Sequence, residues 1–343
     1  MFIKNAWYIA GWAHEVTQKP LARRLCNEPV VLFRDVSNAV GAVEDRCCHR
    51  GAPLQFGKVV EEGLQCGYHG LVFDVHGNCV DIPGQDKIPA KANIRYFPVV
   101  EKDEFIWIWM GDPEKADPKL IIDYPFHNDY ANWPHKHQVY HIKANYMLMV
   151  DNLMDMTHLA YVHVGSIGGD TTSTHAAKME TIRTEQGLKY VRWMLDCAPP
   201  PTYKAAVPSL GERVDRWQEF EYIAPGNIIQ WSGATNAGTG AYDKDIREGG
   251  FSLRLFHGLT PETDSTCHYF WSTANGYRQD DPNATEQLFE AIAGAFMEDK
   301  VIVEAQQARL EECADRPLVD IVSDSARIHM RRTVDRLIKE ETI

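Results

Sequence analysis

Two short loops, each offering one thiolate and one imidazole, limit more than anything else what this chain can fold into. Cys47-Cys48-His49-Arg50-Gly51-Ala52-Pro53 sets its Cys and His two residues apart, and Cys66-Gly67-Tyr68-His69-Gly70 sets them three apart. The glycines and Pro53 let the backbone turn tightly around a bound centre. Zinc fingers usually group Cys with Cys and His with His, whereas one mixed pair from each loop suits two irons, one held by two Cys and the other by two His. A single zinc ion on two Cys and two His is the competing assignment. Around the loops lie short β-prone runs: 30–33 and 40–43 flank Ser37-Asn38, 71–75 and 79–82 flank His76-Gly77-Asn78, and 105–110 is apolar throughout. This is the pattern of an antiparallel β domain.

A second stretch, 146–164, contains no Pro or Gly, runs apolar from Tyr146 to Val150 and is then studded with polar groups. It predicts a buried helix, and buried polar groups need partners. Helical spacing puts Asn152, Asp155 and His158 on one face. His163, five residues on, lies about 500° further around, so the helix has to end or bend near it. Gly165, Gly168 and Gly169 supply the ending. Two histidines alone also fit a core in which neighbours satisfy them. A carboxylate joining them would complete the facial triad of two His and one acid used by non-haem Fe(II) oxygenases. Residues 283–312 predict a long helix with Leu288, Ile292, Ala295, Phe296 and Val303 on its apolar face, and Asp299 falls on that face. A carboxylate aimed into a core is costly unless paired or bound to metal. Glu298 and Glu304 are the alternative acids.

The 343-residue chain as a whole is ordinary in composition, with 44% hydrophobic residues, and long enough for two domains. Its formal net charge of -13 argues against a nucleic-acid partner. The opening residues show no secretory pattern and no run reaches about 18 apolar residues, so no membrane span is expected. Eight cysteines without such a signal point to thiols and metal ligands in the cytoplasm. The stretch 116–137, rich in Asp, Pro and aromatics, suits a connection. Beyond it, runs at 179–182, 190–195, 215–223, 227–232, 251–257 and 267–273 predict a second antiparallel sheet, with loops at 199–201 and 233–250. Gly238-Thr239-Gly240 lacks the third glycine of a dinucleotide-binding turn.

The order C-x-H, C-x-x-H, D-x-x-H-x-x-x-x-H and then a distant Asp resembles the terminal oxygenase component of the Rieske non-haem iron oxygenases, over almost the whole chain. The resemblance implies an α+β fold: an all-β Rieske domain over 1–118 and a helix-grip catalytic domain, an antiparallel sheet with a long helix, over 119–343. By it Cys47, His49, Cys66 and His69 hold one 2Fe–2S cluster; His158, His163 and Asp299, in Met297-Glu298-Asp299-Lys300, hold one mononuclear Fe(II). Asp155 links the two centres. Asn152, on the same helix face, either lines the open side of the iron or packs the helix through a hydrogen bond. The family assembles as homotrimers, which implies that His69 donates to Asp155 of a neighbouring copy and that Asp155 in turn orients His158. NADH is oxidised by a separate flavin and iron-sulfur reductase. Residues 2–8, Asp151-Asn152-Leu153-Met154-Asp155 and Val214-Asp215-Arg216-Trp217 look like the vanillate O-demethylase branch, near the dicamba and toluenesulfonate monooxygenases. That implies O2-dependent oxidation of a small substituted aromatic acid, foremost O-demethylation of a methoxybenzoate such as vanillate, with aryl-methyl hydroxylation as the alternative. Gln230, His257, Phe289 and Ile292 are the expected pocket residues, with His257 either near the acid group or a structural histidine satisfied by its neighbours. A Rieske electron carrier fused to a binding domain would need the loops but not His158, His163 and Asp299 together, and a structural zinc protein would be redox silent.

Overall fold

Short β-branched and aromatic runs between turns become strands in the computed structural model, which describes residues 1–341. In the first unit these are β1 (Trp7–Trp12), β2 (Leu21–Leu25), β3 (Glu28–Arg34), β4 (Val40–Glu44), β5 (Lys58–Val60), β6 (Gly63–Gln65), β7 (Val72–Phe73), β8 (Cys79–Asp81), β9 (Val99–Lys102) and β10 (Phe105–Trp109). They form antiparallel sheets in the orders β1-β10-β9, β2-β3-β4 and β5-β6-β7-β8. Val31, Phe33, Val43, Leu54, Leu64 and Phe73 make an apolar cluster that also takes in Cys47 and Cys66. The two thiols therefore belong to a core, not to a flexible surface loop.

This unit comprises Met1–Asp123 together with Thr260–Asp264 and the terminal Glu341. The sequence-based boundary at 118/119 falls short because the connection packs onto the unit it leaves. Trp7 Nε1 donates to the Asp117 carbonyl at 2.9 Å, Ile121 is buried and Lys102 pairs with Asp123. A distant hairpin tip joins as well, through Cys26 N–H to Pro261 O at 2.7 Å and Asn27 N–H to Glu262 O at 3.0 Å.

The second unit, Tyr124–Leu259 with Ser265–Glu340, contains β11 (His135–Ile142), α1 (Tyr146–Leu153), α2 (Leu159–Val162), α3 (Thr171–His175), β12 (Lys178–Arg183), β13 (Gly187–Cys197), α4 (Pro201–Ala206), β14 (Val214–Ile223), β15 (Asn227–Asn236), β16 (Phe251–Thr263), β17 (Thr266–Asn275), α5 (Pro282–Glu312) and α6 (Ser325–Glu340). Its sheet runs β11-β17-β16-β15-β14-β13-β12. Asp281 caps α5 by accepting from Asn283 N–H at 3.0 Å, with Pro282 in the first turn. The helix packs on β11 and β17, burying Leu288, Ile292, Ala295, Phe296, Asp299 and Val303. Further along, Glu304 accepts from Lys143 N–H at 2.8 Å and Gln307 from Asn145 N–H at 2.9 Å, which stitches α5 to the approach of α1. Among the described residues, no helix is long and apolar enough to cross a membrane.

The expected continuous helix through 152–163 is broken earlier than the sequence suggests. α1 ends at Leu153, Asp155 is extended with φ -129° and ψ 98°, and a single 3-10 turn, Met156–His158, leads into α2. The cause is local competition: Asp155 Oδ1 accepts from Thr157 N–H at 3.0 Å and from its hydroxyl at 2.7 Å, starting a new turn instead of continuing the old one.

Arg192 on β13 holds this broken segment to the sheet. Fully buried, it donates to Met156 O, Thr174 O and Gln218 Oε1, each at 3.0 Å. Arg192→Met strands those carbonyls, and we expect a loss of about 1–3 kcal/mol in denaturant unfolding, with faster amide exchange concentrated in residues 156–175.

Candidate active site

The two Cys/His loops share one backbone frame although their Cys–His spacings differ. Cys47 N–H donates to Ala52 O at 2.8 Å and Gly51 N–H to Cys47 O at 2.9 Å; likewise Cys66 N–H donates to Leu71 O at 2.8 Å and Gly70 N–H to Cys66 O at 3.1 Å. Gly51 and Gly70 close the frames at φ 69° and 79°, a conformation that favours glycine. Cys47 and Cys66 are each 2% exposed, whereas His49 and His69 stand at the surface with ring centroids 4.6 Å apart. Burial pushes the Cys47 thiol up to about 11, and the adjacent Cys66 thiol adds to the rise. Thiolates there need a bound cation to compensate them. A thiol pair inside and an imidazole pair outside is the donor distribution that a Rieske cluster requires.

In the second unit, the break after α1 lets two histidines five residues apart converge. His158 Nδ1–H donates to the Asp155 backbone carbonyl at 2.5 Å, and His163 Nδ1 meets Glu298 Oε2 at 2.6 Å. Their other nitrogens face the same carboxylate oxygen: Asp299 Oδ1 lies 3.4 Å from His158 Nε2 and 3.1 Å from His163 Nε2. The three donor atoms lie within 4.8 Å of one another. Asn152 Nδ2–H donates to the same Oδ1 at 3.0 Å, and its own Oδ1 is buried with no partner among the described residues. Burial disfavours the Asp299 carboxylate, yet the two imidazoles hold it well below the usual range. For His163 burial likewise opposes charge, and the bonds to Asp299 and Glu298 outweigh it and raise its pKa. Side chains that hold protons so tightly against a shared carboxylate can exchange them for a divalent ion. The outward partner on each imidazole is the arrangement that orients metal-binding histidines.

This differs in two respects from the expected linkage. Asp155 orients His158 through its main chain, not its carboxylate, which is turned to Thr157. Glu298 acts as the partner of His163, and Glu304 is taken up by Lys143 and Lys300.

Asn152, His158, His163 and Asp299 line one cavity, with about 910 Å³ of empty space when the open solvent at its mouth is included. Its remaining wall alternates by strand. β14 contributes Arg216 and Gln218, β15 Gln230 and Ser232, and β16 Phe251, Leu253 and Leu255, while α5 adds Leu288, Ile292 and Phe296. The structure thus brings Gln230 and Ile292 to the cavity but not His257 or Phe289. His257 is fully buried behind Gln230, donating Nε2–H to Gln230 Oε1 at 3.0 Å and accepting from the Tyr269 hydroxyl at 2.7 Å. Burial lowers its pKa to about 3 against the pull of Asp299, so it is a neutral support for Gln230. Phe289 lies one residue off the cavity face and stacks on Trp271 at 5.1 Å. Arg216, Gln218 and Ser232 were missed; their signal was polar residues at alternate positions of strands whose other inward residues are apolar.

Comparison with known proteins agrees with both halves of this picture. Residues 6–98 match the Rieske [2Fe-2S] domain family, and residues 142–340 match the vanillate O-demethylase oxygenase C-terminal domain family. The chain is 40% identical over 343 residues to a toluene-4-sulfonate monooxygenase system iron-sulfur subunit of Comamonas testosteroni, covering 99% of this chain and 98% of that one. It is 37% identical over 345 residues to the vanillate O-demethylase oxygenase subunit of a Pseudomonas species, covering 99% and 96%. A crystal structure of dicamba monooxygenase bound to 3,6-dichlorosalicylic acid superposes with a TM-score of 0.92 at 34% identity, covering 99% of each chain. The chain therefore belongs to the Rieske non-haem iron oxygenases, as an oxygenase component whose C-terminal domain is of the vanillate O-demethylase type.

Proposed function

We propose that this oxygenase component oxidises a small substituted aromatic acid, foremost by removing the methyl group of a methoxybenzoate such as vanillate. The observation that carries the reading is the convergence of His158, His163 and Asp299 on a cavity that is polar along β14 and β15 and apolar along β16 and α5. In this reading His158, His163 and Asp299 hold a mononuclear Fe(II), and Cys47, His49, Cys66 and His69 hold the 2Fe–2S cluster. Bound there, the two centres supply dioxygen activation and single-electron delivery. The chain's own residues do the positioning. Glu298 and the Asp155 carbonyl set the two imidazoles, Asn152 holds the shared carboxylate, and the apolar wall keeps water from the ring.

The stoichiometry is one aryl methyl ether, one O2, two electrons and two protons, giving one phenol, one formaldehyde and one water. Hydroxylation of the methoxy carbon forms a hemiacetal that breaks down to the phenol and formaldehyde, and the second oxygen atom leaves as water. A separate reductase oxidises NADH and passes electrons one at a time, in the cytoplasm. Assembly as a homotrimer would bring His69 of one copy to the Asp155 carboxylate of the next. Hydroxylation of a ring methyl group is the second reading, favoured by the 40% identity to the toluene-4-sulfonate monooxygenase subunit.

Iron-loaded protein, NADH and a surrogate reductase, run across methoxybenzoates, methylbenzoates and toluene-4-sulfonate, should release formaldehyde and phenol in equal amounts from one methoxy acid. Hydroxymethyl product alone would establish the second reading, and O2 loss without product from any of these acids would reject the substrate class. Metal analysis separates the residue roles. Asp299→Ala should lower iron from about three to about two atoms per chain while the visible absorption of the cluster persists. Asp155→Asn keeps the carbonyl that orients His158, so it should retain all the iron yet slow turnover about 10- to 100-fold. Unimpaired electron transfer between the centres in that variant would contradict the linking role.

A further inference from the structure

We propose that Arg216 is the seat of the substrate's acid group: an aromatic ring enters the cavity with its carboxylate or sulfonate against this guanidinium. This rests on the reading of the cavity as the substrate site given above, and it assigns the residue that selects the substrate class.

Arg216 is 3% exposed, yet it lines the cavity. Its NH1 and NH2 groups donate to the carbonyls of Gly168 at 3.2 Å and Ile167 at 2.9 Å, and its Nε is buried with no partner among the described residues. Carbonyl oxygens satisfy hydrogens but do not neutralise a charge, and a buried cation without an anion is unfavourable. The neighbouring carboxylate does not serve, because Asp215 is committed to the N–H groups of Asp196 and Gly238, both at 2.9 Å. The Tyr203 ring, 5.0 Å from the guanidinium carbon, gives only partial compensation.

The other buried arginine of this unit, and two half-buried ones, are otherwise engaged. Arg247 pairs with Glu219 and Asp245, Arg254 lies among the rings of Phe126, Trp133 and Trp231, and Arg192 serves the 156–174 segment from outside the cavity lining. Arg216 is different because the space beside it is open to a ligand. It also stands in a suitable context. Gln218 follows it on the same face of β14, and Ser232 sits opposite Gln218 in the β15 register, so the polar end of the cavity continues from strand to strand. Leu253 and Leu255 on β16, with Leu288 and Ile292 on α5, supply an apolar slot for the ring. An oxyanion on a guanidinium gains charge-assisted hydrogen bonds in a water-poor site, where they are strongest.

The test is calorimetric binding to the iron-loaded protein, without turnover, of 4-methoxybenzoate, toluene-4-sulfonate and the neutral 4-methylanisole. Wild type should bind at least one anion more tightly than the neutral ether, and the tighter of the two anions names the acid group. Arg216→Gln should weaken that anion roughly 10- to 100-fold while leaving 4-methylanisole unchanged. Arg216→Lys, which keeps the charge but not the fork, should fall between the two, and it carries the test alone if the Gln variant does not fold. Equal weakening of anion and ether would show that Arg216 only braces the 167–168 turn, and unchanged anion binding would place the acid group elsewhere. Either result overturns the proposal, while formaldehyde release would still uphold the demethylase reading. Failure of the wild type to bind any of the three would overturn both.

Discussion

One carboxylate oxygen, Asp299 Oδ1, is the point on which the second unit is built. It is shared by His158, His163 and Asn152, on a residue that α5 drives into the core. Leaving a charge there uncompensated would cost several kcal/mol, so the surrounding elements have to bring it partners. The requirement accounts for features that would otherwise be defects. The break after α1 turns two histidines to the same point. The Arg192 anchor keeps that irregular segment on the sheet, and an exposed acid, Glu298, is used to fix the far side of His163.

The first unit solves a related problem by different means. Its two thiols lie in an apolar cluster, where burial opposes the ionisation of Cys47, and its two imidazoles stand outside. Such a site is stable in its functional form only with its metal, so folding of the loops and loading of the cluster are linked. The matching backbone frames, closed by Gly51 and Gly70, set each thiol in the core and each imidazole at the surface.

Much of this was legible in the sequence because the informative residues break a local rule. Cys beside His twice over, and Asp299 on an apolar helix face, have few inexpensive explanations. The features that were not legible obey competing local rules. Asp155 looked like part of a helix because its neighbours are helix-compatible, and only its bonds to Thr157 reveal it as a cap. Phe289 and Ile292 differ by the turn of a helix, and sequence alone did not say which side faces the cavity. His257 was expected to touch ligand because it lies on a catalytic-domain strand at a position that the resemblance makes substrate-facing; Tyr269 and Gln230 satisfy it instead. Arg216 was passed over because its stretch, 214–217, served only to carry the family resemblance and no site role was read from it. β11, five of whose eight residues are polar, carries no regular apolar alternation because it is an edge strand.

The stitching of α5 has a consequence for how such a chain can vary over time. Asp299 reaches the histidines, and five and eight residues later Glu304 and Gln307 clasp the main chain leading into α1. The helix thereby works as a ruler with two fixed marks. Inserting or deleting one residue between them would rotate one mark by about 100° against the other without harming the helix itself. Along this stretch a changed side chain that faces solvent costs little, whereas a changed length pulls the two marks apart, so the spacing carries more of the structure than most of the letters that fill it.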